Sequence, residues 1–162
     1  MDEKKEILAS FAQLKEELAN KTEDQCMGAP ELITIAHDDY HARFIGRTAD
    51  GLQFFFPPIF DAHEYITLFL FNDEGELVES RIEDLGPRTT LDKEKARSIR
   101  NKWLEELKPD FQYIEIKPFA IEYNGIMMGL IPTKHDDYWV AEVLPGNVMA
   151  FSAPWDQGDY DT

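Results

Sequence analysis

The chain has 162 residues, with 32 Asp and Glu against 16 Lys and Arg, a formal net charge of −16. Such a balance argues against a surface built to neutralise nucleic-acid phosphates. A hydrophobic fraction of 43% argues against an acidic chain too polar to fold. A single domain of this length buries about 70% of its unfolded surface, so it needs no cross-links. The only cysteine, Cys26, cannot form an intramolecular disulfide, which suits a reducing cytosol. The opening Met1 to Glu6 is charged, and no apolar signal core follows it. The longest apolar run, Tyr65 to Phe71, is too short to span a bilayer. The expectation is a cytoplasmic protein without a membrane partner.

Residues 2–20 read as a helix, since Ile7, Leu8, Phe11, Leu14 and Leu18 recur at helical spacing. Residues 21–31 lack periodicity and hold Gly28 and Pro30, which marks a linker. The body, 32–162, is then mostly strand. Candidates are 32–36, 40–48 and, after the Ala49-Asp50-Gly51 turn, 52–56, which stops at Pro57-Pro58. Segment 64–72 is apolar on both faces, as in a strand covered on both sides. Asp73 to Glu76 turns it back into 77–85, a hairpin.

A second helix is expected at about 90–108. Thr89 or Thr90 would cap it, and Ala96, Ile99, Trp103, Leu104 and Leu107 form its buried stripe. Strands 111–117 and 119–123, the Asn124-Gly125 turn, and 126–132 follow. Strands 138–144 and 148–153 flank the Pro145-Gly146-Asn147 turn. Asn-Gly between apolar runs is a strong hairpin signal. The sum is a single α+β domain: eight or nine mostly antiparallel strands in two meanders, with one helix at the N-terminus and another closing a gap between the meanders.

His37-Asp38-Asp39-Tyr40 recurs as His135-Asp136-Asp137-Tyr138. A duplicated acidic loop would explain it, and so would the common use of Asp in turns and Tyr at strand starts. Each of the four histidines has an acid nearby. His37, Asp39, His63 and His135 would be the ligands of a metal-dependent hydrolase or metal-binding protein. In a chain this acidic, however, such neighbours are expected anyway. No zinc motif, nucleophile elbow or phosphate-binding glycine loop is present, so an enzyme is the minority reading and no cofactor is expected. Phe54-Phe55-Phe56 with Phe60 reads as strand core more readily than as a ligand groove.

Charge is uneven. Residues 81–108 hold half of the basic side chains: Arg81, Arg88, Lys93, Lys95, Arg97, Arg100, Lys102 and Lys108. Residues 109–162 hold nine acids and only Lys117 and Lys134. The simplest account of the basic stretch is a helix laced with exposed i,i+4 pairs. A second possibility is a contact between the basic helix and the acidic lobe of another copy, a homodimer. Asp156, Asp159 and Asp161 do not follow a calcium-loop pattern and read as a solvated tail. Trp155, after Pro154, is either an anchor for that tail or part of a recognition surface.

Ala153-Pro154-Trp155-Asp156 followed by Tyr160-Asp161-Thr162 resembles the ending of a family of small bacterial proteins known as formate hydrogenlyase regulatory protein-like. Ile35-Ala36-His37, Ile45-Gly46-Arg47-Thr48, Asp50-Gly51, Tyr65 to Gly75 and Ile116-Lys117-Pro118-Phe119 extend the similarity over most of 32–162. The resemblance implies a regulatory role and assigns no catalytic residue. With no helix-turn-helix pattern and a charge of −16, regulation by protein contact fits better than DNA binding. The expected function is therefore a non-enzymatic, acidic, protein-binding regulatory domain. Its partner would have a basic surface, and Trp155, Asp156, Tyr160 and Asp161 are the candidate binding residues. The rival readings are the metal protein above and a nucleic-acid mimic. The basic stretch 81–108 weighs against the mimic.

Overall fold

The computed structural model describes residues 28–162. The helix expected at 2–20, Cys26 and most of the 21–31 linker lie outside the described residues. What remains is α+β with mostly antiparallel strands, as expected, but with twelve strands and one α-helix among the described residues. The strands are β1 (Ile33–Ile35), β2 (Ile45–Arg47), β3 (Gln53–Phe55), β4 (Ile59–Phe60), β5 (His63–Phe71) and β6 (Leu77–Pro87). After helix α1 (Lys93–Leu107) come β7 (Asp110–Phe111), β8 (Ile114–Ile116), β9 (Phe119–Tyr123), β10 (Ile126–His135), β11 (Tyr138–Leu144) and β12 (Ala150–Ser152).

Strand β5 organises the body. Its two faces are both apolar, so it must be covered on both sides. Tyr65, Phe69 and Phe71 point into one core, together with Phe55. Ile66, Leu68 and Leu70 point into the other, together with Phe54 and Phe56. The first core is closed by the inner faces of β9 to β12, through Met128, Leu130, Ala141, Val143 and Phe151, and by β1 and β8. The second is closed by Leu104 and Leu107 of α1, with Ile99 and Trp103 packed beside them. Each such aromatic or aliphatic side chain contributes about 2–3 kcal/mol by leaving water.

β5 pairs with β6 along one edge, and with β4 and β3 along the other. β2 and β7 extend this six-stranded sheet. β9 to β12 form a second antiparallel sheet in simple up-and-down order. β1 and β8 make a two-stranded ribbon. Only the second half is thus a meander, because β4 is inserted beside β3 in the first. α1 lies on the face of the six-stranded sheet and does not bridge two meanders.

Local chemistry explains the other departures from expectation. Segment 40–48 is extended only at its end, because the Asp38 carboxylate accepts from the amides of Tyr40 and Ala42 and curls residues 38–42 into a turn. α1 starts later than expected. Its cap is Asp92, whose Oδ1 accepts from the amides of Glu94 and Lys95, while Thr89 and Thr90 lie in a preceding 3-10 turn. Segment 111–117 divides into β7, which joins β2, and β8, which joins β1. The pairings β5/β6, β9/β10 and β11/β12 form across the expected turns, and β10 also pairs with β11.

One buried amide ties the ribbon to the main sheet. Gln53 is 3% exposed. Its Nε2 donates to the carbonyls of Asn72 and Glu115 at 3.0 and 2.8 Å, and its Oε1 accepts from Glu115 N at 2.7 Å. The side chain thus acts as a length of backbone between β3 and β8.

Two glycines permit the closest strand approaches. A Cβ at Gly46 would lie 2.0 Å from the Asp110 carbonyl oxygen, and one at Gly129 would lie 2.1 Å from that of Phe119. Gly46→Ala and Gly129→Ala are each expected to cost about 3 kcal/mol, since backbone rather than a flexible side chain must move. Urea unfolding measures this, and a loss below about 1 kcal/mol would contradict it. Gln53→Met should cost about 2–3 kcal/mol by leaving the Glu115 amide and carbonyl unpaired, whereas the Asn72 carbonyl keeps the Gly75 amide. An unchanged urea midpoint would show that water repairs the gap.

Candidate functional site

The C-terminal segment expected to be a solvated tail is docked on the body. The amides of Thr34 and Ala36 donate to the carbonyls of Trp155 and Gly158 at 2.9 and 3.0 Å, so the segment runs along β1. Asp161 exchanges two backbone hydrogen bonds with Ala150. The Trp155 indole packs against the first core and donates to the Gly28 carbonyl at 3.0 Å. The Tyr160 hydroxyl donates to Asp38 Oδ2 at 2.5 Å and accepts from the His41 amide at 3.0 Å. Trp155 and Tyr160 are therefore anchors. The carboxylates of Asp156 and Asp161 stay exposed. Asp38, Asp159 and Asp161, with His37 and Tyr40, surround an open recess of about 670 Å³.

The histidines point to different partners. His37 stacks on Phe111, with Nε2 3.0 Å from the Arg43 carbonyl. His41 stacks on Tyr40. His63 Nδ1 lies 3.0 Å from Asp84, and His135 Nε2 lies 3.8 Å from Glu142. Asp39 is exposed. Among the described residues, no three His, Cys, Asp or Glu side chains gather in a group that could hold a metal ion. The two His-Asp-Asp-Tyr segments also differ. The first is the Asp38-centred turn, and the second is a tight hairpin with Asp136 at φ +52°.

A second hollow, of about 460 Å³, lies between α1 and the six-stranded sheet. Phe56, Pro57 and Ile66 give it an apolar wall, and Tyr40, His41 and Phe44 rim it. Lys93, Arg97 and Arg100 line it from the helix. Spaced by four and then three residues, they fall on one helical face. The Arg100 Nε–H is buried and has no hydrogen-bond partner among the described residues. The Arg43 and Arg100 guanidinium groups lie 5.2 and 5.1 Å from the Phe44 ring centre. Burial, with Arg43 and Arg97 nearby, lowers the basicity of Arg100. Glu64 also lines the cleft, and its Oε1 accepts from Arg88 Nε at 3.3 Å. Burial outweighs that pairing and raises the Glu64 carboxyl above its ordinary range.

The expected ladder of i,i+4 ion pairs on α1 does not form among the described residues. Glu106 instead reaches across to Arg81 of β6 at 2.9 Å. Sequence reasoning found the basic stretch but missed the cleft. The spacing of Lys93, Arg97 and Arg100 could have signalled a cationic face, whereas nothing local pairs Arg43 or Glu64 with it. Phe54, Phe55 and Phe56 are core, as expected.

Fold and surface together define an α+β body with a clasped C-terminal segment, one acidic recess and one cationic cleft. Neither a family model, nor a curated protein, nor a solved structure matches this chain.

The clasp predicts a pH signature. Burial raises the Asp38 carboxyl, but hydrogen bonds from the Tyr160 hydroxyl and the amides of Tyr40 and Ala42, with His37 nearby, outweigh it and hold the group below 3.8. The folded value lies under the unfolded one, so the ionised carboxylate stabilises the fold above 3.8 and that contribution fades as pH falls through the lowered value. Burial and Asp38 push the Tyr160 hydroxyl up to about 12. Tyr160→Phe should cost about 1–2 kcal/mol near neutrality and make the acid loss of stability shallower. Parallel stability curves for the two proteins between neutrality and acid would refute the coupling.

Proposed function

We propose that this chain is a non-enzymatic regulatory domain that binds a protein with a basic surface. The observation that carries the reading is the acidic recess: a clasped segment rather than a loose tail holds Asp159 and Asp161 around one opening with Asp38 of the 38–42 turn. Exposed Asp156 lies on the same segment, between the anchors Trp155 and Tyr160. Carboxylates held in place offer charge-assisted contacts to Lys or Arg at little ordering cost. The surrounding acid excess speeds encounter with a basic partner. The resemblance of residues 153–162 to the ending of the formate hydrogenlyase regulatory protein-like family points the same way, towards regulation, and the lone cysteine suits a cytoplasmic setting.

Pull-down from a bacterial lysate, at low and at high salt, tests this. The expected result is a basic partner retained at low salt and released at high salt. An Asp156→Asn, Asp159→Asn, Asp161→Asn triple variant should lose it while keeping the parent melting temperature, because those side chains are exposed. No retained partner at low salt, or equal retention by the triple variant, would overturn the assignment.

A further inference from the structure

The cleft beside α1 carries a cluster of positive charge that the described residues leave uncompensated. Arg100 stands near two further arginines, Arg43 and Arg97, and shares the Phe44 ring with Arg43, so both disfavour its charge. Among the described residues none of the three, nor Lys93, forms an ion pair. The carboxylate that lines the cleft, Glu64, is already engaged by Arg88. The Nε–H of Arg100 is itself buried from water and leaves hydrogen-bonding capacity unused among the described residues. A buried donor without a partner costs about 1–3 kcal/mol, and more when charged. An arrangement of like charges around an unsatisfied donor is stabilised by an anion.

We propose that this cleft binds a small organic anion, with a carboxylate or phosphate head on an apolar or aromatic body. The head meets Arg100 and Arg97, whose guanidinium forks match two oxygens at once, with Lys93 adding a point charge. The body lies along Phe56, Pro57 and Ile66. A bare inorganic ion leaves that wall wet, and a neutral apolar molecule leaves the Arg100 donor unpaired. The volume of about 460 Å³ falls in the range of small-molecule sites. Tyr40 borders both this cleft and the acidic recess, so an occupant here touches a side chain that also faces the proposed protein contact. The anion site does not depend on that contact.

Isothermal titration with four probes tests the site: naphthoate, naphthyl phosphate, naphthyl methanol and inorganic phosphate. At least one naphthyl anion should bind at a single saturable site and raise the melting temperature. Naphthyl methanol and inorganic phosphate should each bind about tenfold or more weakly, from the loss of either the charged contacts or the apolar ones. Preference for naphthoate or for naphthyl phosphate identifies the head. Arg100→Gln and Arg97→Gln should each weaken the anion about tenfold, while Arg81→Gln, paired with Glu106 outside the cleft, should leave it unchanged. Without ligand, Arg100→Gln should melt no lower than the parent, because it removes a repelled cation. Arg97→Gln changes an exposed side chain and serves as the test should Arg100→Gln fail to fold. Three results overturn the proposal: no saturable binding of either naphthyl anion, equal binding of the neutral alcohol, or unchanged affinity in the arginine variants.

Discussion

A strand with two apolar faces cannot lie at the surface of a protein, and the rest of this structure follows from that constraint on β5. Burying Ile66, Leu68 and Leu70 requires a helix on one side. Burying Tyr65, Phe69 and Phe71 requires a second sheet on the other. Neither cover alone suffices. α1 supplies Leu104 and Leu107, and β9 to β12 supply their alternate inward residues. The layering of helix, sheet and sheet is thus fixed by nine residues of sequence, with the remaining elements filling the places that β5 creates.

Polar groups at the seams are matched with the same economy. Gln53 replaces a missing run of backbone pairing between β3 and β8, using both ends of one amide. Thr67, fully buried on β5, donates to the Pro57 carbonyl. Such groups add little net stability when paired but cost much when orphaned, so they fix which strands meet. The uncompensated Arg100 donor stands out against this background, and that contrast makes the cleft informative.

Periodicity and turn chemistry made much of the fold legible from sequence. The doubly apolar 64–72 segment, the α1 stripe and the Asn124-Gly125 turn are local patterns, and each led to the right element. What was not legible depends on contacts distant in sequence. β4 is only two residues long and exists because β5 offers it an edge at Glu64 and Tyr65. Segment 111–117 looks like one strand, but β2 and β1 claim different halves of it. Thr89 or Thr90 is the expected cap, but the helix starts at Lys93 and the hydrogen bonds made by Asp92 cap it instead. At the candidate sites, Asp38 and Tyr160 are over a hundred residues apart, so no spacing rule could join them. The cationic cleft was half visible: its helix side has a readable spacing, while Arg43, Phe44 and Glu64 arrive from other elements.

The clasp along β1 has a consequence for synthesis. β1 lies near the start of the described body, yet among the described residues its outer edge pairs with the carbonyls of Trp155 and Gly158. A ribosome delivers those residues more than a hundred positions after β1. While the chain is being made, β1 is therefore an open edge, able to pair with whatever strand comes near. Folding of this body is completed only after residues 155–158 have been made, and the nascent chain must keep that edge from other partners until they emerge.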